Sequence, residues 1–294
     1  MPFDVQAYLR SLSRFGMKPG LERIRAILAR LGDPQERFPA VHIGGTNGKG
    51  SIAALTASVL RRAGYTVGLY TSPHLVRYNE RIRVNGEMIG DEDLAGAVRE
   101  VAAAAAAVKE ELGSDPTEFE VGTAAAFLHF ARSEVDVAVV EVGLGGRLDS
   151  TNVLRSAAVA LGPISLDHMS VLGWDVASIA AEKAGIFRPG VPAVIAPQPA
   201  AAEAVLLEAA RRVGCPLVRV RELPADVLGG WSGTAAGEVW EAAYSVGAWG
   251  LEGGTFDVAT PWGRHRGLRV GLLGRHQMQN AAVAVTLLGA LGGR

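Results

Sequence analysis

The chain has 294 residues, 49% of them hydrophobic, with a formal net charge of −1 and a pI near 6.6. That is length enough for one large or two modest cores. No basic excess points to nucleic acid or an anionic membrane, the single Cys215 cannot build a disulfide framework or a thiolate zinc site, and no apolar run reaches the ~18 residues of a membrane span.

Met1–Phe15 lacks the apolar core of a signal peptide. Together with the lone cysteine this predicts a cytoplasmic protein. Only four of the 29 basic residues are lysines: Lys18, Lys49, Lys109 and Lys183. A lysine kept in an arginine-rich chain marks a place where a compact point charge, or a neutral amine, is required, because arginine does not lose its proton.

In chain order, apolar residues at three- and four-residue spacing predict helices over Asp4–Phe15 and Leu21–Leu31. Pro39–Ile43 reads as a short strand, Gly44–Gly50 as a glycine-rich loop and Ser51 to about Ala63 as an apolar helix. Thr66–Tyr70 is the next strand, and Ser72–Gly90 is expected to be a long loop. Asp91 is the expected N-cap of a helix to Leu112 that includes the alanine run Ala102–Ala107. Thr117 and Glu120 have capping-box spacing at the start of a helix to about Arg132. Asp136–Val142 and Ala157–Leu161 read as buried strands, Ser178–Phe187 as a helix, Ala193–Ile195 as a strand and Ala200–Val213 as a helix. Alternating strands and helices predict right-handed βαβ units. From about 222 to 270 the short alternating runs predict antiparallel strands, and Gln277–Leu291 returns to helix. The expected fold is α/β, with a mostly parallel sheet flanked by helices, a helical N-terminal extension over residues 1–38 and a small antiparallel β segment near the C-terminal end.

The segment HIGGTNGKGS, His42–Ser51, lies between a strand and a helix. Its glycines let backbone wrap phosphate, and the helix N-terminus favours an anion. Lys49 suits the β- and γ-phosphates of a nucleotide, and the Ser51 hydroxyl suits Mg²⁺. The spacing is not that of a standard Walker A loop, because three residues separate Gly44 from Gly48-Lys49 and Gly50 precedes Ser51. In DVAVVEVGLGGRLDSTN, Asp136–Asn152, Glu141 falls near the carboxyl end of a strand, where such sheets bind ligands. A carboxylate there suits nucleotide-bound magnesium, and Asp149 and Asn152 would shape the loop that follows. In TSPHLVRYNERIRVNG, Thr71–Gly86, Arg77 and Arg81 either pair with a substrate carboxylate or form a solvated basic loop.

These segments together resemble the folylpolyglutamate synthase / dihydrofolate synthase family of the Mur ligase superfamily. GTNGKGS resembles the family's variant P-loop, so Gly45, Thr46, Asn47, Gly48, Lys49, Gly50 and Ser51 are expected to hold ATP. TSPHL is similar to the loop whose serine reaches magnesium, which implies Ser72 as a metal contact and His74, Arg77 and Arg81 as the substrate side. The resemblance places Glu141 on magnesium. LDHMSVLGWDVASIAAEKAGIFRPG, Leu166–Gly190, resembles the D-H-x-x-x-L-G and E-K-A-G-I segments, implying His168 on a second magnesium and a carbamylated Lys183 beside it. GLLGRHQMQNAAVAV, Gly271–Val285, is similar to the helix that meets adenine and ribose, implying His276 and Asn280. TEFEVGTAAAFLHFA, Thr117–Ala131, matches a family helix in which Phe119 is either a wall of the pterin site or an ordinary core residue.

The resemblance implies a Mur ligase central-domain fold and an ATP-dependent ligase with two magnesium ions. It would add L-glutamate to a folate, to dihydropteroate, or to both, through an acyl phosphate. Lys49, His168 and Lys183 would be its catalytic residues. In that family a second α/β domain of about 100–150 residues carries the glutamate contacts. The chain is expected to be the ATP-binding domain over 1–294, with that second domain absent or separately encoded, so that ATP binding outlasts ligation. Two other readings stay open: a Mur-type ligase for another acid, and a nucleotide-binding fragment without catalysis.

Overall fold

The structure, a computed structural model of the chain, describes residues 4–13, 18–167, 169–231, 235–236 and 239–292. The chain begins with helices α1 (Val5–Ser13) and α2 (Glu22–Arg30), strand β1 (Ala40–Gly44), helix α3 (Lys49–Arg62) and strand β2 (Val67–Tyr70). After a 3₁₀ turn at Tyr78–Arg81 come strands β3 (Ile82–Val84) and β4 (Glu87–Met88), helices α4 (Asp91–Leu112) and α5 (Glu118–Arg132), and strands β5 (Val137–Glu141) and β6 (Ser156–Leu161). Helices α6 (Met169–Leu172) and α7 (Val176–Ala184), strand β7 (Ala193–Ile195), helix α8 (Ala200–Val213), strand β8 (Leu217–Glu222) and helix α9 (Ala225–Gly230) follow. The chain then forms strands β9 (Ala235–Ala236), β10 (Val239–Gly250), β11 (Gly253–Thr260) and β12 (Gly263–Val270), and helix α10 (His276–Gly292).

These elements divide into two compact units. The first comprises residues 1–40, 57–144 and 148–155, and the second 41–56, 145–147 and 156–294.

In the first unit β2 pairs with β5 in parallel and with β3 antiparallel, and β3 continues antiparallel to β4. Every residue of β5 is buried, the continuous apolar pattern of a strand covered on both faces. Helices α2, α4 and α5 pack on one another over a core that includes Ile24, Ile27, Leu28, Phe127 and Phe130. Phe38 meets Phe127 and Phe130 edge-on, with ring centroids 6.2 and 6.0 Å apart, the arrangement aromatic quadrupoles favour. Position 68 must be glycine for the same packing, since a Cβ there would come within 2.9 Å of the Phe130 ring. The expected capping box at α5 forms: Thr117 Oγ1 accepts from the Glu120 amide at 3.2 Å, and the Glu120 carboxylate accepts from the Thr117 amide at 2.7 Å.

Two expectations for this unit are corrected. Ser72–Gly90 is not one long loop, because it holds the 3₁₀ turn and the β3–β4 hairpin. Its alternation is only three residues long, too short to stand out from a polar loop. Asp91 is not the N-cap of α4, since Gly90 occupies that position and Asp91 is the first helical residue. Its carboxylate is taken by Arg77 and Asn79.

In the second unit β6, β7 and β8 run parallel, with β1 next to β6. Beyond β8 lie β10, β11 and β12 in order, and β9 pairs with β10. Helix α10 lies against β6, β7 and β8 and buries Met278, Ala282, Val283 and Leu287. The expected antiparallel segment is present as β10–β11–β12, but β10 joins β8 in parallel. Strand β8 is a departure from the sequence reading, as is the short α9. Helix α7 starts two residues earlier than expected because Asp175 caps it, accepting from the Ser178 amide at 2.8 Å.

Candidate functional site

In the second unit β1 delivers the chain into a tight loop from which α3 starts at Lys49. Gly45 and Gly48 have φ of +134° and +77°, a region open to glycine at no steric cost. A Cβ on Gly45 would approach the Gly162 amide to 2.9 Å, so the loop lies flush on the end of β6. The Thr46 and Asn47 amides both donate to Pro163 O, at 2.9 and 3.2 Å. Thr46 Oγ1 donates to Ser165 O and accepts from the Ser165 amide, each at 3.2 Å. The amides of these two residues therefore brace the loop. The first bond of the helical ladder runs from the Ile52 amide to Gly48 O at 2.9 Å. The amides of Lys49, Gly50 and Ser51 precede it, at the positively polarised end of α3 where an anion is favoured. Lys49 Nζ folds back to donate to Thr46 O at 3.1 Å.

Two distant segments reach this loop. Asn280, buried on α10, lies against Gly48 so closely that a Cβ there would collide with its amide oxygen. Asn280 Nδ2 donates to Gln277 Oε1 at 3.0 Å. His276, the first residue of α10, is exposed and sits over Gly274. Lys183, on the last turn of α7, is buried, and its Nζ donates to Gly45 O at 2.8 Å. His168 lies outside the described residues.

In the first unit Glu141 closes β5 and is 4% exposed. Its Oε2 accepts from the Ser72 amide at 3.1 Å, which joins the two residues assigned to magnesium in this unit. Phe119 is half-buried beside Tyr70, with centroids 6.1 Å apart, and Gly143 presses on its ring with no room for a Cβ. Asp149 accepts from the Leu144 amide at 2.8 Å and from the Thr151 amide at 2.9 Å, shaping the loop as expected. Burial still pushes its carboxyl up from the ordinary aspartate value.

The two arginines that the sequence reading treated alike separate. Arg81 is buried: its Nε donates to His74 Nδ1 at 2.9 Å, its Nη1 to Glu118 Oε1 at 3.2 Å, and its guanidinium stacks 4.6 Å over the Tyr78 ring. Arg77 lies on the surface, where one nitrogen donates to both oxygens of Asp91 at 2.7 and 2.9 Å. Tyr70, Tyr78 and Glu118 complete the Arg81 group and were missed in the sequence. Burial raises both phenol pKa values, so these rings stay neutral near neutral pH. The signal available was the run of aromatic and charged residues in RYNER and the carboxylate between Thr117 and Phe119. Glu80 was missed as well. Its carboxylate accepts from the Leu75, Val76 and Arg77 amides at 2.8, 2.8 and 2.7 Å, which holds it at about 2.

Among the described residues no three His, Cys, Asp or Glu side chains come together as a metal cage. The assigned donors Ser51, Ser72 and Glu141 are hard oxygens. Each is of the donor type that magnesium takes, most of its other ligands coming from water and phosphate.

A strand, a glycine loop and a helix start carrying lysine define an α/β protein of the phosphate-loop class. The chain belongs to the Mur ligase family: residues 43–288 match the Mur ligase middle domain. It is 38% identical over 283 residues to a dihydrofolate synthase/folylpolyglutamate synthase of Bacillus subtilis, an alignment covering 96% of this chain and 62% of that protein. It is also similar to the crystal structure of a folylpolyglutamate synthase from Thermotoga maritima, with a TM-score of 0.83 and 35% identity over 98% of this chain and 62% of that one. A complex of FPGS with AMPPCP and folate gives a TM-score of 0.85 and 36% identity, covering 98% of this chain and 66% of that one. The chain thus spans about 62% of the length of the curated relative. Among the described residues no helix is long and apolar enough to cross a membrane.

Proposed function

We propose that the chain is the nucleotide-handling part of an ATP-dependent ligase that adds L-glutamate to a reduced folate, to dihydropteroate, or to both. The observation that carries the reading is the contact of Lys183 with Gly45 O. It brings the E-K-A-G-I lysine onto the glycine loop that precedes α3. The folate-bound relative supports the acceptor class.

The reaction runs in two steps. An oxygen of the acceptor carboxylate attacks the γ-phosphorus of ATP, the bond to the β-phosphate oxygen breaks, and an acyl phosphate and ADP result. The glutamate amine then attacks the acyl carbon, phosphate leaves, and the amine proton passes to solvent. The first step opposes carboxylate and phosphate charges. Lys49 turned from Thr46 O toward the phosphates, and the amides of Lys49–Ser51, offset that repulsion in a fixed geometry. Ser51 in the second unit, and Ser72 with Glu141 in the first, are each assigned to magnesium, and His168 and Lys183 to a second ion. Magnesium supplies charge neutralisation of the transferring phosphoryl group.

Lys183 is read as a carbamate. Its ammonium gives a proton to solvent, the amine nitrogen bonds to the carbon of CO₂, one carbonyl electron pair moves to oxygen, and a second proton leaves the nitrogen. The remaining N–H still donates to Gly45 O. Asn280 and His276 are assigned to the base side of the nucleotide. Arg81 with His74, and Phe119, are assigned to the acceptor. Arg77 is the weakest member of that group, since Asp91 already satisfies it on the surface. The glutamate contacts are placed in the share of the relatives' length outside the alignment, on the same chain or a separate one. A cytoplasmic setting fits the buried, reduced Cys215.

The test is incubation with Mg-ATP, glutamate and either dihydropteroate or tetrahydrofolate, with mass spectrometry for added glutamate and calorimetry for ATP binding. Glutamate addition names the acceptor. Failure to bind ATP, together with no ligation when a relative's remaining domain is supplied, ends the proposal.

A further inference from the structure

Residues 145–147, the end of the GLGGR segment that belongs to the second unit, lie directly on the helix end that carries Lys183. The Arg147 amide donates to Glu182 O at 2.9 Å. The Arg147 side chain grips the same residue, Nη2 and Nε donating to Glu182 Oε1 at 2.8 and 3.1 Å. Two glycines permit the approach. A Cβ on Gly146 would come to 2.8 Å from Glu182 O and 3.0 Å from Lys183 Cα, and one on Gly185 would collide with Arg147. Residues 146–147 therefore clasp the last turn of α7 on both backbone and side chain.

That turn aims Lys183. Helix ends fray because their last carbonyls lack intrahelical partners. Here the Glu182 carbonyl is taken by the Arg147 amide and also accepts from the Gly185 amide at 3.3 Å. Lys183 Nζ must cross from this turn to Gly45 O, so a shift of the helix end moves the amine off the loop. The ion pair itself is exposed, 56% on Arg147 and 28% on Glu182. An exposed pair adds little to folding, so two donors converging on one carboxylate oxygen call for another role. Arginine's planar fork supplies two donors to one carboxylate, which lysine does not.

We propose that Arg147, through Glu182, is a positioning residue that holds Lys183 where its carbamate forms and faces the phosphate loop. The proposal rests on the reading of Lys183 as the carbamate-bearing lysine. The clasp makes the E-K-A-G-I and G-L-G-G-R segments one structural device, although 35 residues separate Arg147 from Glu182.

The experiment uses the 294-residue chain with ¹³C-bicarbonate and reads the carbamate carbon resonance, with a thermal melt alongside. Arg147→Ala should weaken the resonance by about tenfold or more, the loss typical when an outer-shell partner is removed. Its melting midpoint should stay near that of Arg132→Ala, which breaks the comparably exposed pair with Glu100. Arg132→Ala should keep the full resonance. The charge-swapped double variant Arg147→Glu/Glu182→Arg should recover part of the signal. An undiminished resonance in Arg147→Ala overturns the positioning role alone, as does a loss that merely tracks unfolding. No resonance in the wild type overturns the reading of Lys183 and the clasp with it.

Discussion

The amine of Lys183 lies 2.8 Å from the carbonyl oxygen of Gly45, across 138 residues of sequence. In the proposed reading this buried lysine carries a carbamate, whose remaining N–H keeps the bond to Gly45 O. Lys183→Ala should lower ligation by about 10²-fold or more, the loss seen when a preorganised transition-state group is removed. Lys183→Arg should do no better, since a guanidinium does not form a carbamate. Steady-state ligation with and without small carboxylates checks this. Rescue of the alanine variant alone is expected, and wild-type activity in either variant would refute the role.

Gly48→Ala tests the contact with Asn280. The residue sits at φ +77°, and forcing alanine there costs about 1–3 kcal/mol. The new methyl group would also push Asn280 away. Weaker Mg-ATP binding by calorimetry, beyond what the loss of stability explains, is the expected result.

Arg81→Ala and Arg77→Ala should behave differently. Removing Arg81 takes one hydrogen bond each from the partly buried Glu118 and His74, a loss of about 1–3 kcal/mol, with weaker acceptor binding. Arg77→Ala breaks only a surface pair and should cost about 0–1 kcal/mol with acceptor affinity kept. Urea unfolding and acceptor titration of both variants decide it.

His42 predicts acid sensitivity. Burial, then the charge of Arg188, lowers its pKa from 6.5 to about 3. Between those values the unfolded chain holds a proton that the folded chain does not. Its contribution is therefore complete above pH 6.5 and is lost as pH falls toward 3. His42→Gln, which does not titrate, should show a flatter decline in urea midpoint over that window. An identical decline would assign the acid sensitivity elsewhere.

Phe130→Ala tests the first unit's core. The ring is fully buried, touches Gly68 and meets Phe38 edge-on. Truncating such a side chain costs about 3–5 kcal/mol, read as a lower urea midpoint.

What the sequence determined by itself was local. The capping box of Thr117 and Glu120 joins residues three apart and formed as read. The glycine loop before Lys49, the buried run Val137–Glu141 and the apolar helix ending the chain were likewise legible, because each pattern lies within a few turns of backbone. The family resemblance extended this to the match over 43–288.

Only the tertiary structure decided which of two similar groups was used. Arg77 and Arg81 look equivalent in RYNER, yet one meets Asp91 on the surface and the other His74 and Glu118 in the interior. Asp91 had a capping residue's chemistry, but Gly90 took the cap and Arg77 took the carboxylate. Strand β8 enters the parallel sheet beside β10, a pairing that short alternating runs do not encode. Lys183 on Gly45, Asn280 on Gly48 and Arg147 on Glu182 arise because strand order brings distant segments together. A hydrogen bond between neighbours is written in their spacing. One between distant residues exists only once the sheet has chosen which strands are adjacent.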